Sequence, residues 1–426
     1  MSPEKTFNYT NTDMYKMLKK RLDSGKPLIL ALTDVDNTVR VLKLHPKWWE
    51  SLHEIERHKT LVSLGFSQNN EILSGNDPGD RIREKREQDL KNKSFELINF
   101  AHEQDIPYGY VTGADIDKVL KRIYEQKKDL PMPLAIASAV GTEIYFKIGE
   151  EFVEDKRYQR ELRSRYERKI MVNIGKKLLE NKKFSQPFDM GGYELHFQPN
   201  QRDQTDYKVS FYLFAKNFQE VEVVAESFQK EIEALNRQRK QRELLPPLAP
   251  RILYAAEIEW NSTCGTAEKK KYCIDLLAGT KDDAINYIVQ KMNEVLPQDT
   301  PPINLLVAGD SGNDEALLRS THIPSKEIEN QTFFGNVMAV IVGGSDEELE
   351  KKMEKVTVPA NKKKPYILHL KKITDHHEEK NREIHNGLNY NRLYKIDERG
   401  PETVKRALIE FDRQLNYDII CKLGNL

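Results

Sequence analysis

The feature that most constrains this chain is a rhythm. Short apolar runs each end in a polar turn, and stretches with helical spacing separate them. "PLILALTDVDNT" (27–38) follows a short helix expected over 9–21, and "IPYGYVTGAD" (106–115) follows a helix expected over 83–104. That helix places Leu90, Phe95, Leu97, Ile98 and Ala101 at roughly 3.6-residue spacing. A helix over 115–126 leads to "PLAIASAVGTEIYF" (133–146), read as a third strand and a hairpin. Later, a helix over 282–294 precedes "PPINLLVAGDSGNDEALL" (301–318), and "VMAVIVGG" (337–344) is a further strand. Strands alternating with helices need crossover connections, which argues for a parallel sheet covered on its faces. The expected class is α/β, with a Rossmann-like parallel core.

Between about 150 and 256 the rhythm breaks. A highly charged helix is expected over 151–182, followed by the strands "YELHFQP" and "KVSFYLFAK". A helix over 218–241 then carries Val221, Val224, Phe228, Ile232 and Leu235 on one face, and a Pro-rich link leads to "RILYAAEIEW". Antiparallel-type strands between helices read as an inserted α+β domain, 151–255, within a discontinuous core, 1–150 and 256–426. Two lobes also suit 426 residues. Insertions are expected near 45–93, where "SQNNEILSGNDPGD" reads as an exposed loop, and near 360–395, rich in Lys, His and Asn. "GPETVKRALIEF" (400–411) is an amphipathic helix with Pro in its first turn.

Composition narrows the partners. With 67 basic and 67 acidic residues the formal net charge is zero, so nucleic acid or an anionic membrane is not the expected main partner. The basic run "RQRKQR" (237–242) reads as a solvated helix end. No apolar signal core or membrane-length segment is present, and a soluble, cytoplasmic protein is expected. Cys264, Cys273 and Cys421 lack metal spacing, and His376 and His377 have no convincing ligand partners. Trp48 and Trp49 read as packing residues at a helix start.

In parallel sheets ligands bind beyond the carboxyl ends of the strands. Polar residues stand at such positions: Asp34 and Asp36, Thr112 and Gly113, Lys281, and Asp310, Asn313 and Asp314. Either acidic stretch alone could be an Asx turn or a helix cap. Together, four carboxylates at one edge would raise one another's pKa, and a bound divalent cation relieves that. Hard oxygen donors without His or Cys suit Mg2+. Lys281 and Thr112 offer a phosphate group a fixed cation and a hydroxyl donor beside turn N–H groups. Lys269, Lys270 and Lys271 compete for the cationic role, but Lys281 stands directly before "DDAINYI".

"DVDNT", "VTGAD", the Lys of "GTKDDAI" and "GDSGNDEAL" resemble, in order, the four motifs of the haloacid dehalogenase-like phosphatases. The likeness covers about 28–150 and 270–345 and the C-terminal helix. The long separation of motifs two and three resembles the branch with a large cap inserted there. Within it, "SAVGTEIY", "QP" followed by "QR" then "KVSF", and "GDSGNDEAL" resemble stretches of sucrose-phosphate phosphatases. The resemblance implies that Asp34 is the nucleophile, forming an aspartyl-phosphate, and that Asp36 is the general acid and base. It implies Mg2+ held by Asp34, Asp310 and Asp314 with the Asp36 carbonyl, and phosphate held by Thr112, Gly113, Lys281 and Asn313. Lys208, Ser210 and Gln198, with Glu143 of the "VGTE" turn, become candidate sugar contacts. The pattern departs at Ala114, where the motif usually has an Arg or similar polar residue, and at Asp282, where Gly often follows the Lys. The expected activity is Mg2+-dependent hydrolysis of a sugar phosphate such as sucrose 6-phosphate or another glycosyl phosphate. A sugar phosphomutase and a non-catalytic phosphate-binding module are the alternatives.

Overall fold

The computed structural model describes residues 7–36, 38–40, 78–124, 130–186, 194–197, 205–215, 217–241, 247–256, 270–310, 334–342, 367–370, 392–396 and 400–424, with positions 57, 60, 61, 64, 314, 317, 318 and 349. Its first elements are α1 (Asp13–Asp23), β1 (Ile29–Thr33), α2 (Pro78–Glu103), β2 (Tyr108–Val111), α3 (Ile116–Tyr124) and β3 (Ala135–Ser138). There follow β4 (Glu143–Ile148), β5 (Glu151–Glu154), α4 (Lys156–Arg163), α5 (Arg168–Glu180), β6 (Leu195–Phe197), β7 (Lys208–Ala215) and α6 (Phe218–Gln241). The remainder is β8 (Arg251–Ala256), β9 (Lys270–Leu277), α7 (Lys281–Val295), β10 (Ile303–Gly309), β11 (Phe334–Val342), β12 (Ile367–Leu370), β13 (Arg392–Ile396) and α8 (Pro401–Gly424).

Among the described residues, nine strands form one sheet in the order β12-β13-β11-β10-β1-β2-β3-β4-β5. All its pairs are parallel except β3–β4 and β4–β5. Every residue of β1 and β10 is buried, as expected of strands covered on both faces. Alternation divides β1 between two cores. Ile29 and Ala31 pack with Leu97, Ala101, Val119 and Phe411 of α2, α3 and α8. Leu30 and Leu32 face the other way, into a core containing Met14 and Leu18 of α1 and Ile285 and Ile288 of α7. A Thr12 cap, its Oγ1 accepting from the Tyr15 N–H at 3.1 Å, starts α1. No described helix is long and apolar enough to cross a membrane.

The second sheet is antiparallel, in the order β6-β7-β9-β8. Its interior residues Phe211, Leu213, Tyr272, Ile274 and Leu276 belong to the same apolar cluster as Leu30 and Leu32, and Phe211 packs against Gly175 of α5 and Phe228 of α6. Two local readings of the sequence change here. The helix expected over 151–182 is instead β5 followed by α4 and α5. Gly149, at φ +63°, turns the chain back so that Glu151 pairs with Ile148, and Asp155 then accepts from the Arg157 N–H at 3.0 Å to start α4. Residues 270–277, read from sequence as part of the core 256–426, pair antiparallel with β7 over eight residues and with β8 on the other side, so the smaller sheet reaches Leu277. Within the stretch read as a surface insertion, 360–395, the described strand β12 lies at the edge of the large sheet, beside β13.

Candidate active site

Parallel register assembles the site. Thr33 lies opposite Ala308 of β10 and Tyr110 of β2, so all three strands run out at one edge. Asp34 follows β1 directly, and its N–H donates to the Ala308 carbonyl at 2.9 Å. Asp310 follows β10, and its N–H donates to Asp314 Oδ2 at 3.0 Å. That contact needs Gly309, because a Cβ there would stand 2.5 Å from Asp314 Cγ. Lys281 arrives from another direction, as the first residue of α7. The Thr280 N–H just before it donates to Asp283 Oδ2 at 3.0 Å and fixes the helix start.

Asp34, Asp310 and Asp314 are all buried, with carboxylate oxygens within 4.8 Å of one another. Lys281 is fully buried among them, its Nζ donating to Asp34 Oδ1 at 2.6 Å and also to Asp314 Oδ1. Thr38 Oγ1 makes a long contact, 3.5 Å, to Asp310 Oδ1. Burial first, and then the Asp314 charge, push the Asp34 carboxyl up to about 7, against the pull of Lys281. Burial disfavours the charged form of Lys281, yet the Asp314 and Asp34 carboxylates outweigh it and raise its pKa. Three carboxyl groups here share one ammonium. This crowding and the all-oxygen donor set fit a hard divalent cation, and Mg2+ fits this chemistry.

The remaining candidates lie around this group. Thr112 is buried just past β2, its Oγ1 accepting from the Ala114 N–H at 3.2 Å, and Gly113 is half-buried beside it. Asp36 is turned toward two arginines: Arg122 Nη1 lies 3.0 and 3.2 Å from its two oxygens, and Arg40 Nη1 lies 3.2 Å away. Glu143 opens β4 and accepts from Ser138 Oγ at 3.0 Å; burial raises its pKa despite that bond. Lys208 and Ser210 share a face of β7 and converge on Asp275 of β9. Lys208 Nζ is 3.2 Å from Asp275 Oδ2, and Ser210 Oγ donates to Oδ1 at 2.5 Å. Asn313 and Gln198 lie outside the described residues, as do Trp48, Trp49, His376 and His377.

Four polar residues at these groups were not singled out from sequence: Thr38, Arg40, Arg122 and Asp275. Thr38 belongs to the "DVDNT" stretch and was within reach. Arg122 is 86 residues from Asp36, and no local pattern connects them.

Residues 80–241 match the sequence model of the Sucrose-6F-phosphate phosphohydrolase family. Among solved structures, the chain is similar to the sucrose-phosphatase of Synechocystis sp. PCC6803 in complex with sucrose and phosphate, at 17% identity and TM-score 0.44 over 91% of this chain and 98% of that one. It is also similar to the C-terminal domain of C. albicans trehalose-6-phosphate phosphatase, at 11% identity and TM-score 0.37 over 94% and 98%. Trehalose-6-phosphate phosphatase of Aspergillus fumigatus gives 10% identity and TM-score 0.40 over 94% and 97%. The family match contains Thr112, Gly113, Glu143, Lys208 and Ser210, whereas Asp34, Lys281, Asp310 and Asp314 all lie outside it. The matched stretch, 162 of the 426 residues, and the buried acidic group are therefore separate observations, and the matched stretch is similar to that family.

Proposed function

We propose that this chain is a Mg2+-dependent phosphomonoesterase that hydrolyses a sugar phosphate through a phosphorylated Asp34. The observation that carries the proposal is the convergence of Asp34, Asp310, Asp314 and Lys281 at the carboxyl edge of the parallel sheet. Asp34 attacks phosphorus, and the P–O bond to the sugar breaks. Asp36 donates a proton to the departing oxygen and later takes one from the water that hydrolyses the aspartyl-phosphate. Side chains two residues apart in extended chain point the same way, which suits this division of work. Asp36 must leave Arg122 and Arg40 to reach the leaving group. Lys281, released from its carboxylate partners, and Thr112 hold the phosphoryl oxygens, with Gly113 and Asn313 in the surrounding turns. A Mg2+ ion held by Asp34, Asp310 and Asp314, with the Asp36 carbonyl, supplies charge neutralisation at the phosphoryl group when bound.

The segment 151–255, with β9 completing its sheet, serves in this reading as a cap that closes over the leaving group and excludes water. Lys208 and Ser210, held together by Asp275, and Glu143 and Gln198 are the proposed contacts to sugar hydroxyls. Sucrose 6-phosphate is the first substrate to test, with other glycosyl phosphates beside it. The experiment measures inorganic phosphate release from a sugar-phosphate panel with Mg2+, for the wild type and Asp34→Asn. Release lost in the variant and on chelation supports the hydrolase, and the best substrate names the specificity. No release from any compound by folded, Mg2+-binding protein refutes it.

A further inference from the structure

The turn between β3 and β4 is strained in a way the chemistry above does not use. Ala139, Val140 and Gly141 all have positive φ, at +48°, +63° and +85°. Glycine adopts this conformation freely, but a β-branched valine there is a genuine outlier. Such strain persists only where the surroundings over-determine it, and here they do. The Ala139 N–H donates to the Ala114 carbonyl at 2.8 Å and the Val140 N–H to the Thr112 carbonyl at 2.9 Å. Both acceptors belong to the loop that carries Thr112 and Gly113. On its other side the turn presses on the start of α7. A Cβ on Gly141 would lie 2.6 Å from the Thr280 carbonyl oxygen and 2.9 Å from Lys281 Cα. The Gly141 carbonyl in turn accepts from Tyr158 Oη at 2.8 Å, and the Tyr158 ring lies 4.8 Å from that of Tyr287, also on α7.

From this geometry we infer that residues 139–141 are a positioning device, which sets the distance between the Thr112 loop and Lys281. The inference rests on the phosphatase reading above. The two phosphate-holding groups come from chain segments about 170 residues apart. The strained turn touches both, one through two N–H donors and the other through a backbone approach that only glycine permits. Holding Val140 in the left-handed region points its N–H at Thr112 while Gly141 lies flat against Thr280. Misplacing a binding group by about 1 Å can cost on the order of a hundredfold in rate, so a contact of this kind acts on kcat.

The test compares Gly141→Ala with Gly149→Ala and Tyr158→Phe. Gly149 also has a positive φ, +63°, but among the described residues nothing lies within 4 Å of a Cβ there. Gly149→Ala therefore reproduces the backbone strain without the collision. Each variant is assayed with p-nitrophenyl phosphate and Mg2+ for kcat and KM, by calorimetry for inorganic phosphate binding, and by thermal unfolding. Gly141→Ala is expected to lower kcat by about a hundredfold and weaken phosphate binding at least tenfold, while Gly149→Ala stays within twofold at a comparable loss of Tm. Tyr158→Phe, which removes only the hydroxyl that holds Gly141, is expected to lower kcat several-fold. Folded Gly141→Ala with wild-type kcat and phosphate affinity overturns the inference, as does an equal loss in Gly149→Ala. If Gly141→Ala does not fold, an unchanged Tyr158→Phe overturns it. A wild type that binds phosphate without turnover refutes the hydrolase, and the device then stands or falls on phosphate affinity alone. A wild type that does neither refutes both.

Discussion

Replacing Lys281 by methionine is the perturbation whose consequence follows most directly from the structure. The ammonium is fully buried, 2.6 Å from Asp34 Oδ1 and in contact with Asp314, itself fully buried. Methionine keeps most of the volume and removes the charge, leaving the carboxylates of Asp34, Asp310 and Asp314 together without the Lys281 ammonium. Removing one partner of a buried ion pair costs about 3–5 kcal/mol, because the stranded charge has lost its solvation and its partner. Proton uptake by Asp34 limits the loss, since each unit of pKa shift is worth about 1.4 kcal/mol. In chelator at pH 7 the expected destabilisation is therefore about 3 kcal/mol. With a urea slope of about 3 kcal/mol/M, that moves the midpoint by about 1 M. The assay is urea unfolding followed by tryptophan fluorescence, with and without Mg2+, for the wild type, Lys281→Met, and Lys281→Met combined with Asp314→Asn. The double variant should recover part of the loss, and saturating Mg2+ should stabilise Lys281→Met more than the wild type, because the cation then meets carboxylates that have lost the Lys281 ammonium. A loss below about 1 kcal/mol in chelator, or equal Mg2+ stabilisation of both proteins, would refute the reasoning.

Other expectations concern pH, the core and proton transfer. Asp34 is raised from its ordinary 3.8 to about 7, so in chelator the folded state holds a proton that the unfolded state has released. Stability through this group is present at low pH and falls as pH rises from about 4 to about 7. Asp34→Asn should flatten that slope, and an unchanged slope would exclude Asp34 as its source. Arg21 is fully buried and donates to the Pro27 and Gln104 carbonyls and to Asp412, tying α1 to α8. Arg21→Leu should cost about 3 kcal/mol by urea unfolding, and a loss under about 1 kcal/mol would show these bonds to be exchangeable with water. Asp36→Asn should slow phosphate release from sugar phosphates by about 10²–10⁴-fold. Formation of the phosphoenzyme from p-nitrophenyl phosphate should slow far less, because its phenolate leaves without a proton. Equal slowing of nitrophenol release in a single turnover would remove Asp36 from the role of leaving-group acid.

Much of the core was legible because its signals are local. The run Leu28–Thr33 is apolar at every position but the last, as in a strand covered on both faces, and β1 is such a strand. Asp34 and Asp310 were readable as edge residues because each immediately follows such a run. The smaller sheet was harder. Its strand β9, "KKYCIDLL", has an apolar pattern that does not reveal which neighbours it will take. Only the eight-residue ladder with β7 decides that it pairs antiparallel there. The charged segment 151–182 misled for a related reason. Glu151–Glu154 has no strand signal of its own and becomes a strand because Gly149 returns it onto β4.

Thus the sequence by itself determined the alternating α/β plan, the positions of the two acidic turns and the chemistry they can support. Each is written within ten or so consecutive residues, where periodicity and residue type act. The tertiary structure alone decided that Lys281 reaches Asp34 across 247 positions, that Arg122 holds Asp36 across 86, and that Gly141 presses on Thr280. These contacts depend on how helices and strands pack once their ends are fixed. Packing is a property of shape and burial summed over the whole chain, and no short stretch of residues carries it.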